Sequence, residues 1–247
     1  FPAIDLRHGR VVRLQLGDPE RQTVFSTDPV ATARGWLAAG ATWIHVVNLD
    51  GAFDEGGAAN REALKRLTKL PARIQFGGGL RSIGDVAEVL GLGVGRVVLG
   101  TAAVERPELV TESLARFGPQ RVAVGIDARD GQVRTRGWRE ATAVEPIALA
   151  KAVGGMGVHT LIYTDISRDG VLSGVNVEAT VALAEQTGLE VIASGGVNSP
   201  ADVTRLLSIA ERGVAGVIIG RALYEGQVDL KSVLDAAAKV TSGGTSC

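Results

Sequence analysis

PAIDLRHGRVVRL (Pro2 to Leu14) and VGIDARDGQVRTR (Val124 to Arg136) are one phrase written twice. Aligned on Asp5 and Asp127, both read small-Ile-Asp-x-Arg-x-Gly-x-Val, at a separation of 122 residues. Two further pairs follow in the same order. FGGGLRS (Phe76 to Ser82) matches SGGVNS (Ser194 to Ser199), with Gly78 and Gly195 117 residues apart. VVLGTAAVE (Val97 to Glu105) matches VIIGRALYE (Val217 to Glu225), with Gly100 and Gly220 120 residues apart. Three motifs recurring in order at nearly constant separation make the chain two homologous halves, about residues 1–118 and 119–240.

Within each half, short β-branched runs alternate with longer helix-periodic segments. The runs fall near Phe1–Ile4, Thr42–Asn48, Arg73–Phe76 and Arg96–Leu99, then near Arg121–Ile126, His159–Tyr163, Glu190–Ala193 and Gly216–Ile219. Continuous apolar runs such as Val97-Val98-Leu99 suit strands buried on both faces of a parallel sheet. Between them lie amphipathic stretches such as Pro29–Ala39 and Ala201–Ala210, the second introduced by Ser199-Pro200 as N-cap and first helical residue. Eight strand–helix units in 247 residues predict a single-domain α/β fold, a (β/α)8 TIM barrel of two half-barrels over residues 1–240. A doubly wound sheet is the alternative, but it does not predict two equal halves. Residues 241–247 read as a disordered tail. Because the chain opens directly inside the first strand, a few residues are expected before Phe1.

Composition removes several function classes. The 26 basic residues are balanced by 27 acidic ones, a net charge of −1, so no overall field grips nucleic acid or an anionic membrane. The lone Cys247 excludes a disulfide framework and a cysteine zinc site, and His8, His45 and His159 have no metal-binding spacing. No apolar run reaches the roughly 18 residues of a spanning helix. The expectation is a cytoplasmic, monomeric protein with no metal or cofactor.

In such a barrel the active site lies at the C-terminal ends of the strands. Asp5 and Asp127 end strands on opposite staves, so their carboxylates should face each other across the mouth, the equipment of concerted acid–base chemistry. A single strand-end Asp would read as a turn cap; a symmetric pair does not. Gly78, Gly79, Gly100 and Thr101 in one half, and Gly195, Gly196, Gly220 and Arg221 in the other, stand where free backbone N–H groups can cradle an anion. Two such clamps across one mouth predict an elongated ligand with a phosphate at each end. Thr164 and Asp169 are candidates for its centre. Arg13, Arg81 and Arg136 are candidate phosphate partners. Trp138, in a polar loop, could stack on a flat heterocycle, whereas Trp36, Trp43 and His45 read as core residues. The polar loops after the first, fifth and sixth strands are expected to fold over the substrate and exclude water.

Taken together, Pro2-Ala-Ile-Asp-Leu6, Gly9-x-x-Val-Arg13, His45-Val-Val-Asn-Leu-Asp50, Gly77-Gly-Gly-Leu-Arg81, Gly137-Trp138, Tyr163-Thr-Asp-Ile-Ser-Arg-Asp-Gly170, Ala193-Ser-Gly-Gly196 and Ile219-Gly-Arg-Ala222 resemble the phosphoribosyl-formimino-aminoimidazole carboxamide ribotide isomerases of histidine biosynthesis. The resemblance runs to about Ala238. It implies a cofactor-free Amadori rearrangement of a bisphosphorylated ribotide from aminoaldose to aminoketose. It also implies Asp5 as general base at C2′, Asp127 as general acid in ring opening, Thr164 supporting the reacting centre and Trp138 stacking on the imidazole. The spacing alone assigns neither acid nor base. Asn48, where relatives commonly carry Asp, and Leu80, where Ile is usual, depart from the pattern.

Three rivals stand beside this reading. The sister barrel, the cyclase subunit of imidazole glycerol phosphate synthase, reads Cys-Leu-Asp and a later Lys where this chain has Ala3-Ile4-Asp5 and Arg13. A dual-substrate isomerase that also turns over phosphoribosyl anthranilate is compatible with Arg13 and Arg136-Gly-Trp138. A non-catalytic phosphosugar sensor would have no need of both carboxylates.

Overall fold

The computed structural model describes residues 1–243. Its strands are β1 (Ala3–Arg7), β2 (Arg10–Gln15), β3 (Asp18–Ser26), β4 (Trp43–Asn48), β5 (Arg73–Gly77), β6 (Arg96–Leu99), β7 (Val122–Arg129), β8 (Gln132–Thr135), β9 (Glu140–Ala141), β10 (Thr160–Asp165), β11 (Glu190–Ser194) and β12 (Val214–Val217). Eight of these, β1, β4, β5, β6, β7, β10, β11 and β12, pair in parallel with their neighbours in chain order. The ring closes where Pro2 bridges Ile219, through Ala3 N–H to Ile219 O at 3.0 Å and Ile219 N–H to Phe1 O at 2.9 Å. This closed ring is the (β/α)8 barrel, and an open doubly wound sheet is excluded.

Helices fill the outside because their apolar stripes need the sheet. Pro29–Ala38 and Pro200–Leu207 occupy the expected amphipathic stretches, each with Pro in its first turn. Ile44, Val46, Ile74, Val97, Val124 and Leu161 alternate outward into the layer between strands and helices and are fully buried. The ring interior is divided. One sector is apolar, with Ala3, Ile162, Ile192 and Ile218 packed beside Phe1 and Val98. The other is polar: Gln75 bonds His45 Nδ1 at 2.9 Å and accepts from Arg96 Nε at 2.8 Å.

The sequence repeat has a structural counterpart down to single hydrogen bonds. Asp85 Oδ2 accepts from the backbone N–H of Arg81 and Ser82, at 3.0 and 2.9 Å. Asp202 Oδ2 accepts from Asn198 and Ser199 in the same way, at 3.0 and 3.1 Å. Each carboxylate ties the glycine turn to the first turn of the helix that follows it.

Two features differ from the sequence reading. The loop after the first barrel strand is itself a hairpin, β2 pairing antiparallel with both β1 and β3, and β7 likewise continues into β8 and β9. Their polar, Gly-punctuated sequences hide this alternation, since β3 is exposed along most of its length. The last helix, Leu230–Gly243, takes in the first three residues of the expected tail; 244–247 lie outside the described residues. Among the described residues no helix is long and apolar enough to cross a membrane.

Candidate active site

A cavity of about 650 Å3 opens at the C-terminal end of the barrel, and every site residue named from the sequence lines it. Asp5 and Asp127 rise from β1 and β7 on opposite sides. Gly78, Gly79, Arg81, Gly100 and Thr101 line one flank, and Gly195, Gly196, Gly220 and Arg221 the other. Thr164, Asp169, Arg13, Arg136 and Trp138 complete the wall.

The glycines are required where they stand. Gly78 has φ +99°, and a Cβ there would lie 2.2 Å from the Asn48 carbonyl oxygen. Gly195 has φ +88°, and its Cβ would lie 2.6 Å from the Asp165 carbonyl oxygen. Both turns therefore press against the neighbouring strand end, and the backbone that follows is presented to the cavity. On each flank the next strand ends in a glycine of unusual conformation, Gly100 (φ −97°, ψ −92°) and Gly220 (φ −108°, ψ −102°). These open the short helices Thr101–Glu105 and Arg221–Tyr224. Helix starts beside glycine turns offer unpaired N–H groups to an anion.

The electrostatics separate the two catalytic candidates. Asp5 Oδ2 accepts a 2.6 Å bond from Arg13 Nη1, with both side chains almost buried. Burial pushes the Asp5 carboxyl up, and the Arg13 guanidinium pulls it back. Asp127 is also pushed up by burial, but among the described residues it has only neutral donors, Thr164 and the indole of Trp138, to favour its ionised form. Asp169 is a third carboxylate in the cavity. Burial raises it to about 6, with Arg13 opposing and the charges of Asp5 and Asp127 adding to the rise.

The arginines are not all placed as free phosphate partners. Arg13 is committed to Asp5 and, through Nη2, to the Ala3 carbonyl oxygen at 2.7 Å. Arg136 lies at the rim, paired with Glu105 at 2.9 Å. Arg81 pairs with Asp54 at 3.0 Å, and Arg221 with Glu225 at 2.5 Å while donating to Gly170 O at 2.6 Å. Arg81 and Arg136 find partners 27 and 31 residues away, which pattern reading had no means of finding, whereas Arg221 and Glu225 stand four residues apart at one helix end.

His45, read as a core residue, is buried and held neutral, its pKa lowered to about 3 by burial with help from nearby cations, yet it also lines the cavity. Ser194, at the end of β11, lines it too; its place directly before Gly195-Gly196 was the available signal. Asn48 supports the backbone. Its Oδ1 accepts from Gly51 N–H and Asn60 Nδ2, at 3.1 and 2.7 Å, capping the turn beneath Gly78. Elsewhere His8, Asp50 and Glu55 bring ligand atoms within 4.8 Å of one another, but Asp50 already accepts from the His8 amide and Glu55 from Arg7.

The loops converge over the mouth. Trp138 packs on Gly17 of the β2–β3 turn so closely that a Cβ there would lie 2.4 Å from the indole. Gly170 faces the Leu14 carbonyl oxygen, 2.9 Å from the position of an added Cβ.

The comparisons agree with this geometry. A family model described as "Histidine biosynthesis protein" matches residues 1–229. A protein of Rhizorhabdus wittichii is 50% identical over 96% of this chain and 97% of its own length. One of Geotalea daltonii is 47% identical over 100% of this chain and 99% of its own. Each is named 1-(5-phosphoribosyl)-5-((5-phosphoribosylamino)methylideneamino) imidazole-4-carboxamide isomerase. On the family match and on identities near one half over nearly its whole length, the chain belongs to the histidine biosynthesis protein family.

Proposed function

We propose that the protein is an aldose–ketose isomerase that performs the Amadori rearrangement of the bisphosphorylated formimino-aminoimidazole carboxamide ribotide, the substrate in its relatives' names. The observation that carries this reading is the unequal electrostatic setting of Asp5 and Asp127 across one cavity flanked by two glycine clamps.

Asp5, ion-paired with Arg13, is the carboxylate favoured in its ionised form and acts as the base. Asp127, with no cation beside it, keeps a proton more readily and acts as the acid. Asp127 protonates the ribose ring oxygen as the C1′–O4′ bond breaks, and the nitrogen lone pair forms the C=N bond. Asp5 then takes the proton from C2′, and the electrons of that C–H bond neutralise the iminium to give an enolamine. Asp5 then returns its proton to C1′ while the C2′ hydroxyl proton passes to Asp127, which completes the aminoketose and restores both carboxyls to their starting states. Thr164 holds Asp127, and Asp169 supplies a third carboxyl near the ring. The N–H groups around Gly78, Gly79, Gly100 and Thr101, and around Gly195, Gly196, Gly220 and Arg221, receive the two phosphates. Arg81 and Arg136 stand at the rim to exchange their carboxylate partners for phosphate, and Trp138 covers the imidazole.

The test is a spectrophotometric assay with the ribotide, run beside phosphoribosyl anthranilate. Turnover of the ribotide is expected. Turnover of the anthranilate alone, or of neither, overturns the proposal.

A further inference from the structure

Arg13 does not merely happen to touch Asp5; it sits in a slot built for its guanidinium. One wall is Gly220, where an added Cβ would lie 2.5 Å from Arg13 Cζ. The other is Tyr224, whose ring centroid lies 5.5 Å from Cζ. The floor is the Ala3 carbonyl oxygen, which accepts both from Arg13 Nη2 at 2.7 Å and from the Tyr224 hydroxyl at 2.9 Å. Tyr224 is in turn wedged between Phe25 of β3, at 4.8 Å between centroids, and Trp36 of the Pro29–Ala38 helix, edge-on at 5.4 Å. The repeat makes the point sharper: the residue matching Tyr224 is Val104, and Asp127, the counterpart of Asp5, is bonded by Thr164 and Trp138 and not by an arginine.

We propose that Tyr224 is a positioning residue for the isomerisation, its aromatic face holding the Arg13 guanidinium on Asp5 so that Asp5 stays ionised as the base. This rests on the assignment of Asp5 given above. Tyr224 touches no reacting atom. It converts the packing of the first-strand hairpin and the first helix into the angle of one cation. A face-on aromatic ring attracts a guanidinium through its quadrupole, most strongly where water is excluded. The other titratable groups facing the pair are Asp169 from the loop after β10, Asp127 from β7 and His45 from β4, which is neutral. Phe25 and Trp36 bring no charge, so the ring and the Ala3 carbonyl favour the cation without titrating near neutrality.

The experiment separates the ring's electrons from its shape. Tyr224→Phe is compared with the same position carrying 3,4,5-trifluorophenylalanine, which keeps the ring in place but drains its face of charge. Phe should retain most of the rate. From Phe to the trifluoro ring, kcat should fall about tenfold with KM within about threefold, the loss of one desolvated cation–π contact. The acid limb of kcat/KM should move to higher pH, because Asp5 loses part of its hold on the cation. Melting temperatures of the two should agree. An equal rate and equal acid limb for the two rings overturns the proposal, as does a loss already complete at Phe, which would assign the role to the hydroxyl. Carbon-13 titration of the Asp5 carboxyl, assigned with Asp5→Asn, reads the same hold without turnover. An upward shift from Phe to the trifluoro ring supports the proposal even if the wild type proves inactive on the ribotide, which would sink the function instead. An unchanged Asp5 titration overturns it.

Discussion

Replacing Asp169 by Asn should make the protein more stable at neutral pH while weakening catalysis. The Asp169 carboxyl faces the cavity beside Asp5 and Asp127, and among the described residues no side-chain donor is bonded to it. Burial, with those two charges adding and Arg13 opposing, raises it from 3.8 to about 6. A gap of about two units, at ~1.36 kcal/mol each, is about 3 kcal/mol. Cavity water screens the charge, which reduces this to about 1–2 kcal/mol. The folded state binds the proton more tightly than the unfolded chain, so this contribution is fully present below pH 3.8 and lost as pH rises through 6. Asn carries no charge at any pH and keeps the shape. The variant should therefore melt with the wild type near pH 4 and about 2–8 °C above it at pH 7, at ~2–4 °C per kcal/mol for a domain of this size. The assay is thermal unfolding followed by circular dichroism for both proteins in parallel from pH 4 to 8. Titrating groups away from the cavity move both curves alike and cancel in the difference. A difference that is flat with pH, or that favours the wild type at pH 7, refutes the account of Asp169 as a strained carboxylate.

Other outcomes follow from the same geometry. Asp5→Asn and Asp127→Asn should each lower kcat by about 10²–10⁴ while leaving ligand affinity within about tenfold, as measured by steady-state kinetics and calorimetry; a variant that keeps most of its rate removes that residue from the chemistry. Trp138→Phe removes a donor that favours ionised Asp127, so its pKa should rise further and the alkaline limb of kcat should move to higher pH. A downward shift in the pH profile would contradict the acid assignment. Gly78→Ala, with its Cβ 2.2 Å from a backbone oxygen, should cost well over the ~1–2 kcal/mol of a left-handed alanine. Gly188→Ala, also at positive φ but in open space, should cost no more than that range. Denaturant melts of the two that coincide would show that the clamp glycine is not pressed against Asn48.

The chain order of strands, the internal repeat and the cavity-lining residues were legible in the sequence because each leaves a local trace. A strand buried on both faces reads as an apolar run, and a turn at positive φ reads as glycine. Duplication copied both kinds of trace at a separation near 120 residues. One helix start was readable too, since Ser199-Pro200 reads as an N-cap and first helical residue and Ser199 does cap Pro200–Leu207. What the sequence could not contain is the difference between two nearly identical halves. Asp5 and Asp127 stand in the same phrase, and nothing in that phrase says that one will meet a guanidinium and the other an indole. Arg13 was legible as a cation but not as Asp5's partner, because that contact depends on the hairpin folding back and on Gly220 and Tyr224, more than 200 residues away, leaving it a slot. Periodicity and glycine punctuation are properties of neighbours along the chain, and they decided the barrel. Charge state depends on neighbours in space, and only closure of the ring, Pro2 against Ile219, brought those together.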